Sequence, residues 1–204
     1  MLEIKNLTLY TRHPILDSFS YAFEPGKLYG LVAANGTGKT TFFRAIMGLI
    51  KLKNGTVTID GEDGEKKRRQ LFYFESSEWF DTNLTGKDYL IFIKKKWKSS
   101  QNLQEVIDYW GMEDYVTVPI RKYSLGMKQR LLIAMYQVSQ APYLLMDEIT
   151  NGLDEKSREA LFLALKKMTL NGTMIILSSH YKEDILSICD AMITLENQEM
   201  KVKE

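Results

Sequence analysis

One eight-residue segment constrains this chain more than any other: Ala33-Ala34-Asn35-Gly36-Thr37-Gly38-Lys39-Thr40. It fits the pattern GxxxxGK followed by Ser or Thr, except that Ala33 stands where the first glycine is expected. Ahead of it, Leu28-Tyr29-Gly30-Leu31-Val32 reads as a short buried strand, and residues 39–49 carry a helical pattern. A strand, a loop of small residues and a helix together aim consecutive backbone N–H groups, and the positive end of the helix, at phosphate oxygens. Asn35, Gly36, Thr37, Gly38 and Thr41 are accordingly expected to line the phosphates. Lys39 would place a point charge beside the β- and γ-phosphates, and Thr40 would offer its hydroxyl to magnesium. Ala33 suits such a loop if its φ is negative.

Such a site needs a second half, a carboxylate at the end of a buried strand. Tyr143-Leu144-Leu145-Met146-Asp147-Glu148 supplies it. Asp147 can hold magnesium through water, because that ion keeps several waters and takes few protein oxygens. Glu148 can orient or deprotonate an attacking water.

The rest of the chain builds a frame for these two segments. Residues 2–10 and 19–23 alternate with period two ahead of the turn Glu24-Pro25-Gly26, residues 56–61 alternate into another turn, and residues 71–74 read as a buried strand. The charged residues 62–69 read as a surface connection. From 85 to 140 the pattern is helical, with Thr85 as N-cap, so a helical subdomain is expected over roughly residues 80–140. Strand patterns return at 143–146, 174–177 and 191–195, with a helix over 155–169, which predicts a parallel sheet with crossover helices. With 204 residues in all, a single domain over 1–204 is expected.

Composition excludes several functions. Lys plus Arg number 27 and Asp plus Glu 26, a formal charge of +1, so no global field draws the chain to nucleic acid and no nucleic-acid partner is expected. A lone cysteine, Cys189, rules out a disulfide within the chain and fits the reducing cytoplasm. No secretory signal is recognisable, and the greasiest stretch, near residues 131–146, is interrupted by Gln137, Ser139, Gln140 and Pro142. If a chain like this serves a membrane, it does so from outside the bilayer. The basic runs at 66–69 and 94–98 read as solvated faces.

Between the two halves of the phosphate site lies Tyr123-Ser124-Leu125-Gly126-Met127-Lys128-Gln129-Arg130. It resembles the LSGGQ signature of the ATP-binding cassette (ABC) ATPases, in the form common among bacterial exporters of drugs and antimicrobial peptides. Asn151-Gly152-Leu153-Asp154 resembles that family's D-loop, and His180 sits where the family keeps its switch histidine. Tyr10 falls where an aromatic stacks on adenine, and Glu75 where the family has its Q-loop glutamine. The resemblance covers nearly the whole chain, with six short motifs in the family's order.

The resemblance implies an α/β fold: a P-loop NTPase core with a mainly parallel sheet, an N-terminal antiparallel β subdomain and an inserted helical subdomain. It implies ATP and Mg2+ as ligands, with Thr40, Glu75 and Asp147 at the metal and Lys39, Glu148 and His180 catalytic. It also implies a head-to-tail dimer, with a second copy or with another ABC subunit, in which Ser124 and the Gly126 N–H reach the γ-phosphate held by the other cassette. Asp154 would cross the same interface. A separate transmembrane permease would hold the protein at the cytoplasmic face of the membrane, with export slightly favoured. The departures are Ala33, Glu75, Leu125 and Met127. They leave as an alternative a weakly hydrolysing cassette acting as the structural half of a heterodimer, or a cassette that serves no transporter.

Overall fold

A computed structural model describes residues 1–179 and 182–203. Its architecture is α/β, with two sheets. The first is antiparallel, in the order β2-β1-β4-β5, from β1 (Leu2–Tyr10), β2 (Pro14–Phe23), β4 (Asn54–Ile59) and β5 (Glu62–Asp63). The second comprises β3 (Leu28–Val32), β6 (Leu71–Tyr73), β7 (Tyr143–Asp147), β8 (Met174–Ser179), β9 (Ala191–Glu196) and β10 (Glu199–Lys203), in the order β10-β9-β3-β8-β7-β6. All its pairings are parallel except that of β10 with β9. The strands β3, β7 and β8 are buried along nearly their whole length, as parallel strands covered on both faces must be.

Helix α1 (Lys39–Ile46) lies between the two sheets, where Phe42, Phe43, Ala45 and Ile46 share one core with Leu2, Leu7, Phe23 and Ile176. A second core lies on the other face of the parallel sheet. There α3 (Gly86–Trp97), α4 (Leu103–Tyr109) and α5 (Leu125–Ser139) pack with α6 (Glu155–Leu170) around Phe72, Leu132 and Leu165. Thr85 does cap α3: it accepts from the Asp88 N–H while Asp88 returns a bond to the Thr85 N–H, a complete capping box.

Several stretches differ from expectation. Residues 62–69 are more than a surface connection. Asp60 and Gly61 both have positive φ and join β4 to β5 in a two-residue hairpin, after which the Asp63 side chain caps the short α2 (Gly64–Lys67). Arg68, in the following 3-10 turn, donates to the Gly48 carbonyl at 3.2 Å. The second difference is β10, which closes the sheet edge through another two-residue hairpin, Asn197 and Gln198, again both at positive φ. Helix α1 ends at Ile46 rather than near 49, because Gly48 turns left-handed at φ 63°.

Tyr136 on α5 binds the layers together. Its fully buried hydroxyl donates to the Leu145 carbonyl of β7 at 2.6 Å and accepts from the Phe74 N–H just beyond β6 at 3.2 Å. Tyr136→Phe keeps the ring but strips the Phe74 N–H of that partner, a cost of about 1–3 kcal/mol. Thermal denaturation is expected to show Tm lowered by about 3–8 °C; an unchanged Tm would contradict this role.

Candidate active site

Parallel pairing sets the frame. Val32, the last residue of β3, lies level with Ser179 of β8, and Asp147, the last of β7, lies level with Ser178. The loop after β3 and the carboxylates after β7 therefore leave the sheet at the same height on either side of β8. In the loop, Gly36 and Gly38 take φ of 79° and 115°. A Cβ on Gly38 would also meet the Ile15 side chain at 2.3 Å, so only glycine fits. Ala33 is buried and does not have a positive φ, so its methyl is accommodated. Thr37 stabilises the loop by donating its hydroxyl to the Ala34 carbonyl at 2.7 Å. Gly38 caps α1 with no side-chain bond and no acid occupies the first turn, so the helix's own sequence leaves its positive end uncompensated.

Lys39 is 5% exposed, and a buried ammonium needs partners. It donates to the Ala33 carbonyl at 2.9 Å and pairs with Glu148 at 3.0 Å. Thr40 donates to Asp147 Oδ2 at 2.6 Å. Ser178 donates to Asp147 Oδ1 at 2.5 Å and accepts from the Glu148 N–H at 3.0 Å, so the end of β8 positions the Asp147 carboxylate and the backbone of Glu148. Burial holds the Asp147 carboxyl above the ordinary carboxylate range, although the Ser178 and Thr40 hydroxyls oppose this. A carboxylate and a hydroxyl in direct contact form a hard oxygen donor set, which fits a magnesium ion that keeps most of its waters. Glu148 sits in the left-handed region at φ 49°, where few non-glycine residues are found, and Asn151 donates to its Oε2 at 3.0 Å.

Of the other expected residues, Glu75 lies beside this centre. A cleft of ≈420 Å³ is lined by Thr40, Glu75, Asp147 and Glu148 on one side and by Leu125 and Gln129 of α5 on the other. Glu75 is gripped by Arg44, which donates from Nε at 2.7 Å and closely from Nη2, and it also accepts from the Tyr73 hydroxyl at 3.3 Å. Ser124 is exposed and caps α5, accepting from the Met127 N–H at 3.2 Å. Gly126 lies near the Gly152 carbonyl, and Leu125 beside it is 59% exposed. Asp154 caps α6 through the Ser157 N–H at 2.7 Å and pairs with Arg130 at 3.3 Å; the Ser157 side chain, and after it that N–H, hold its carboxyl below the usual range. Thr41 is half-buried on α1, and Tyr10 is half-exposed with Lys53 Nζ 5.2 Å from its ring centre. His180 lies outside the described residues. Neither Ser178 nor Arg44 belongs to any motif, yet each holds a carboxylate in place. The signal for Arg44 is its spacing, four residues beyond Thr40 on one helix.

A glycine-rich loop, a helix start and a carboxylate pair converging at the end of a parallel sheet define a nucleotide-binding ATPase cassette. The family model described as ABC transporter matches residues 16–151, and the chain belongs to that family. It is 36% identical over 210 residues to YybJ of Bacillus subtilis (strain 168), an uncharacterized ABC transporter ATP-binding protein, covering 100% of this chain and 96% of that one. A solved structure described as the ATP-binding subunit of an ABC transporter superposes with a TM-score of 0.91 at 25% identity, over 100% of this chain and 89% of the other. The Nod factor export ATP-binding protein I of Sinorhizobium fredii (strain NBRC 101917 / NGR234) is 27% identical over 96% of this chain and 60% of its own length. The chain is thus an ATP-binding subunit of the ABC type, in a family that hydrolyses ATP. Among the described residues no helix is long and apolar enough to cross a membrane.

Asp147 generates a test of the site's electrostatics. A carboxylate whose folded pKa lies above its unfolded value costs stability at neutral pH; the cost fades as pH falls through the folded value and is gone below the unfolded value near 3.8. Asp147→Asn is therefore expected to raise the Tm of the ligand-free protein at pH 7, with a smaller gain at pH 4. A lower Tm at neutral pH would show that the hydroxyl bonds outweigh burial.

Proposed function

We propose that this chain binds and hydrolyses MgATP in the cleft between the loop after β3 and the end of β7, and thereby powers a transporter. One observation carries the reading: residues far apart in sequence meet as two pairs, Thr40 with Asp147 at 2.6 Å and Lys39 with Glu148 at 3.0 Å. In this reading the β- and γ-phosphates take the place of Glu148 on Lys39, held also by backbone N–H groups of residues 35–41. Releasing Lys39 leaves Glu148 able to accept the proton of the attacking water, with Asn151 keeping its side chain oriented. Thr40 and Asp147 would hold the magnesium ion, which would supply positive charge to offset that of the phosphates. Tyr10, backed by Lys53, stacks on the adenine.

The exposed start of α5 supports the remaining assignment. Ser124 and Asp154 are exposed, and with Gly126 they complete the site of a second cassette in a head-to-tail dimer, the second cassette being another copy or a related subunit. Closure of the dimer on ATP would then drive a transmembrane permease from the cytoplasmic side. Export is favoured by the likeness to the Nod factor export protein.

Replacing Lys39 by Ala removes the fixed cation at the phosphates, and MgATP affinity is expected to fall at least about tenfold. Titration showing unchanged affinity would defeat the assignment. Glu148→Gln keeps the shape but not the base, so binding should survive while turnover collapses and an ATP-bound dimer accumulates in gel filtration.

A further inference from the structure

Thr40 and Arg44 stand four residues apart on α1 and so share one face of it. Thr40 reaches Asp147, and one turn further along Arg44 reaches Glu75 in the wall of the same cleft. The guanidinium grips the carboxylate by both oxygens, Nε on Oε2 and Nη2 on Oε1, and the Tyr73 hydroxyl donates to Oε2 as well. Burial beside the charges of Asp147 and Glu75 raises the Tyr73 pKa, so that ring stays a proton donor. Glu75 is only 12% exposed, and both of its oxygens are engaged. A forked pair of this kind fixes orientation as well as charge.

A free carboxylate on this wall would repel the phosphates when magnesium is absent and attract the ion when it is present. A pair of zero net charge does neither. We infer that Arg44 and Glu75 form a neutral clasp that sets how strongly nucleotide binding depends on magnesium. Arg44 is a positioning residue: it turns the Glu75 carboxylate onto α1 and cancels its charge, and Glu75 in this arrangement is not a metal ligand. The inference rests on the cleft being the MgATP site and adds a residue to it that no motif marks. It also accounts for the departure at position 75, since an acid is tolerable beside phosphates when a cation one helical turn from Thr40 neutralises it.

The clasp makes an antisymmetric prediction. Arg44→Gln leaves one negative charge in excess, Glu75→Gln one positive, and the double variant none. The quantity to measure is the ratio of the ATP dissociation constant in EDTA to that in magnesium, by calorimetric titration of the full chain. The ratio is expected to rise about fivefold in Arg44→Gln, to fall by a similar factor in Glu75→Gln, and to return to the wild-type value in the double variant. A direct metal ligand behaves differently: the double variant would then follow Glu75→Gln, and that result overturns the clasp. An Arg44→Gln ratio equal to wild type also overturns it. Should Arg44→Gln not fold, Glu75→Gln and the double variant still separate the two outcomes. If the wild-type protein binds no ATP even with magnesium, the site assignment falls and the clasp with it, a result distinct from binding with unmoved ratios.

Discussion

The insertion of β8 between β3 and β7 is the constraint on which the rest depends. Because Val32 is level with Ser179 and Asp147 with Ser178, two loops far apart in sequence leave the sheet together, and Ser178 is left to bond both carboxylate-bearing residues. That register is enforced by burial on both faces: a slip would move hydrophobic residues such as Leu31, Leu145 and Ile176 out of the cores they fill. Gly30 fits the same tight packing, since a Cβ there would meet the sulfurs of Cys189 and Met192 at 2.8 Å.

The strand ends arranged this way gather several charged side chains in one cleft. Lys39 is neutralised by Glu148 and loop carbonyls, Asp147 by two hydroxyls, and Glu75 by Arg44, so the ligand-free state satisfies each charge by a neighbour from another element. The pairs differ in what a nucleotide would do to them. Phosphates compete directly for Lys39, whereas the Arg44–Glu75 pair lies one turn beyond Thr40 and can persist alongside them. Stability is given up for this arrangement at Asp147, whose burial disfavours its charged form, as is common at sites shaped for ligands rather than for folding.

Much of this was legible in the sequence wherever one local rule acts alone. The loop at 33–40, the short apolar strands and the Thr85 cap each rest on local pattern, and all appear where that pattern puts them. Legibility failed where two weak signals had to combine. Asp60-Gly61 is a strong hairpin pair, but the brevity of β5 made the charged stretch after it read as a plain connection. At β10 the hairpin residues are Asn197 and Gln198, and glutamine at positive φ carries no turn signal. Within the site, the phosphate-loop residues and the carboxylates after β7 could be named, but Ser178 lay just past the strand read at 174–177 and carried no signal of its own. The partner of Glu75 could not be named, because nothing local ties position 44 to position 75; only packing of α1 against the end of β6 brings them together.

The central claim, that the phosphate loop of one chain works with the exposed start of α5 from another, is most directly tested by complementation. Lys39→Ala disables the loop, and Ser124→Arg blocks the start of α5; each variant alone should hydrolyse almost no ATP. Mixed in equal amounts, two copies joined head to tail contain one intact site, formed by Lys39 of one variant and Ser124 of the other. The account predicts that the mixture regains a substantial part of the wild-type activity. Activity in the mixture no greater than the sum of its separate components would contradict a site shared between two copies of this chain.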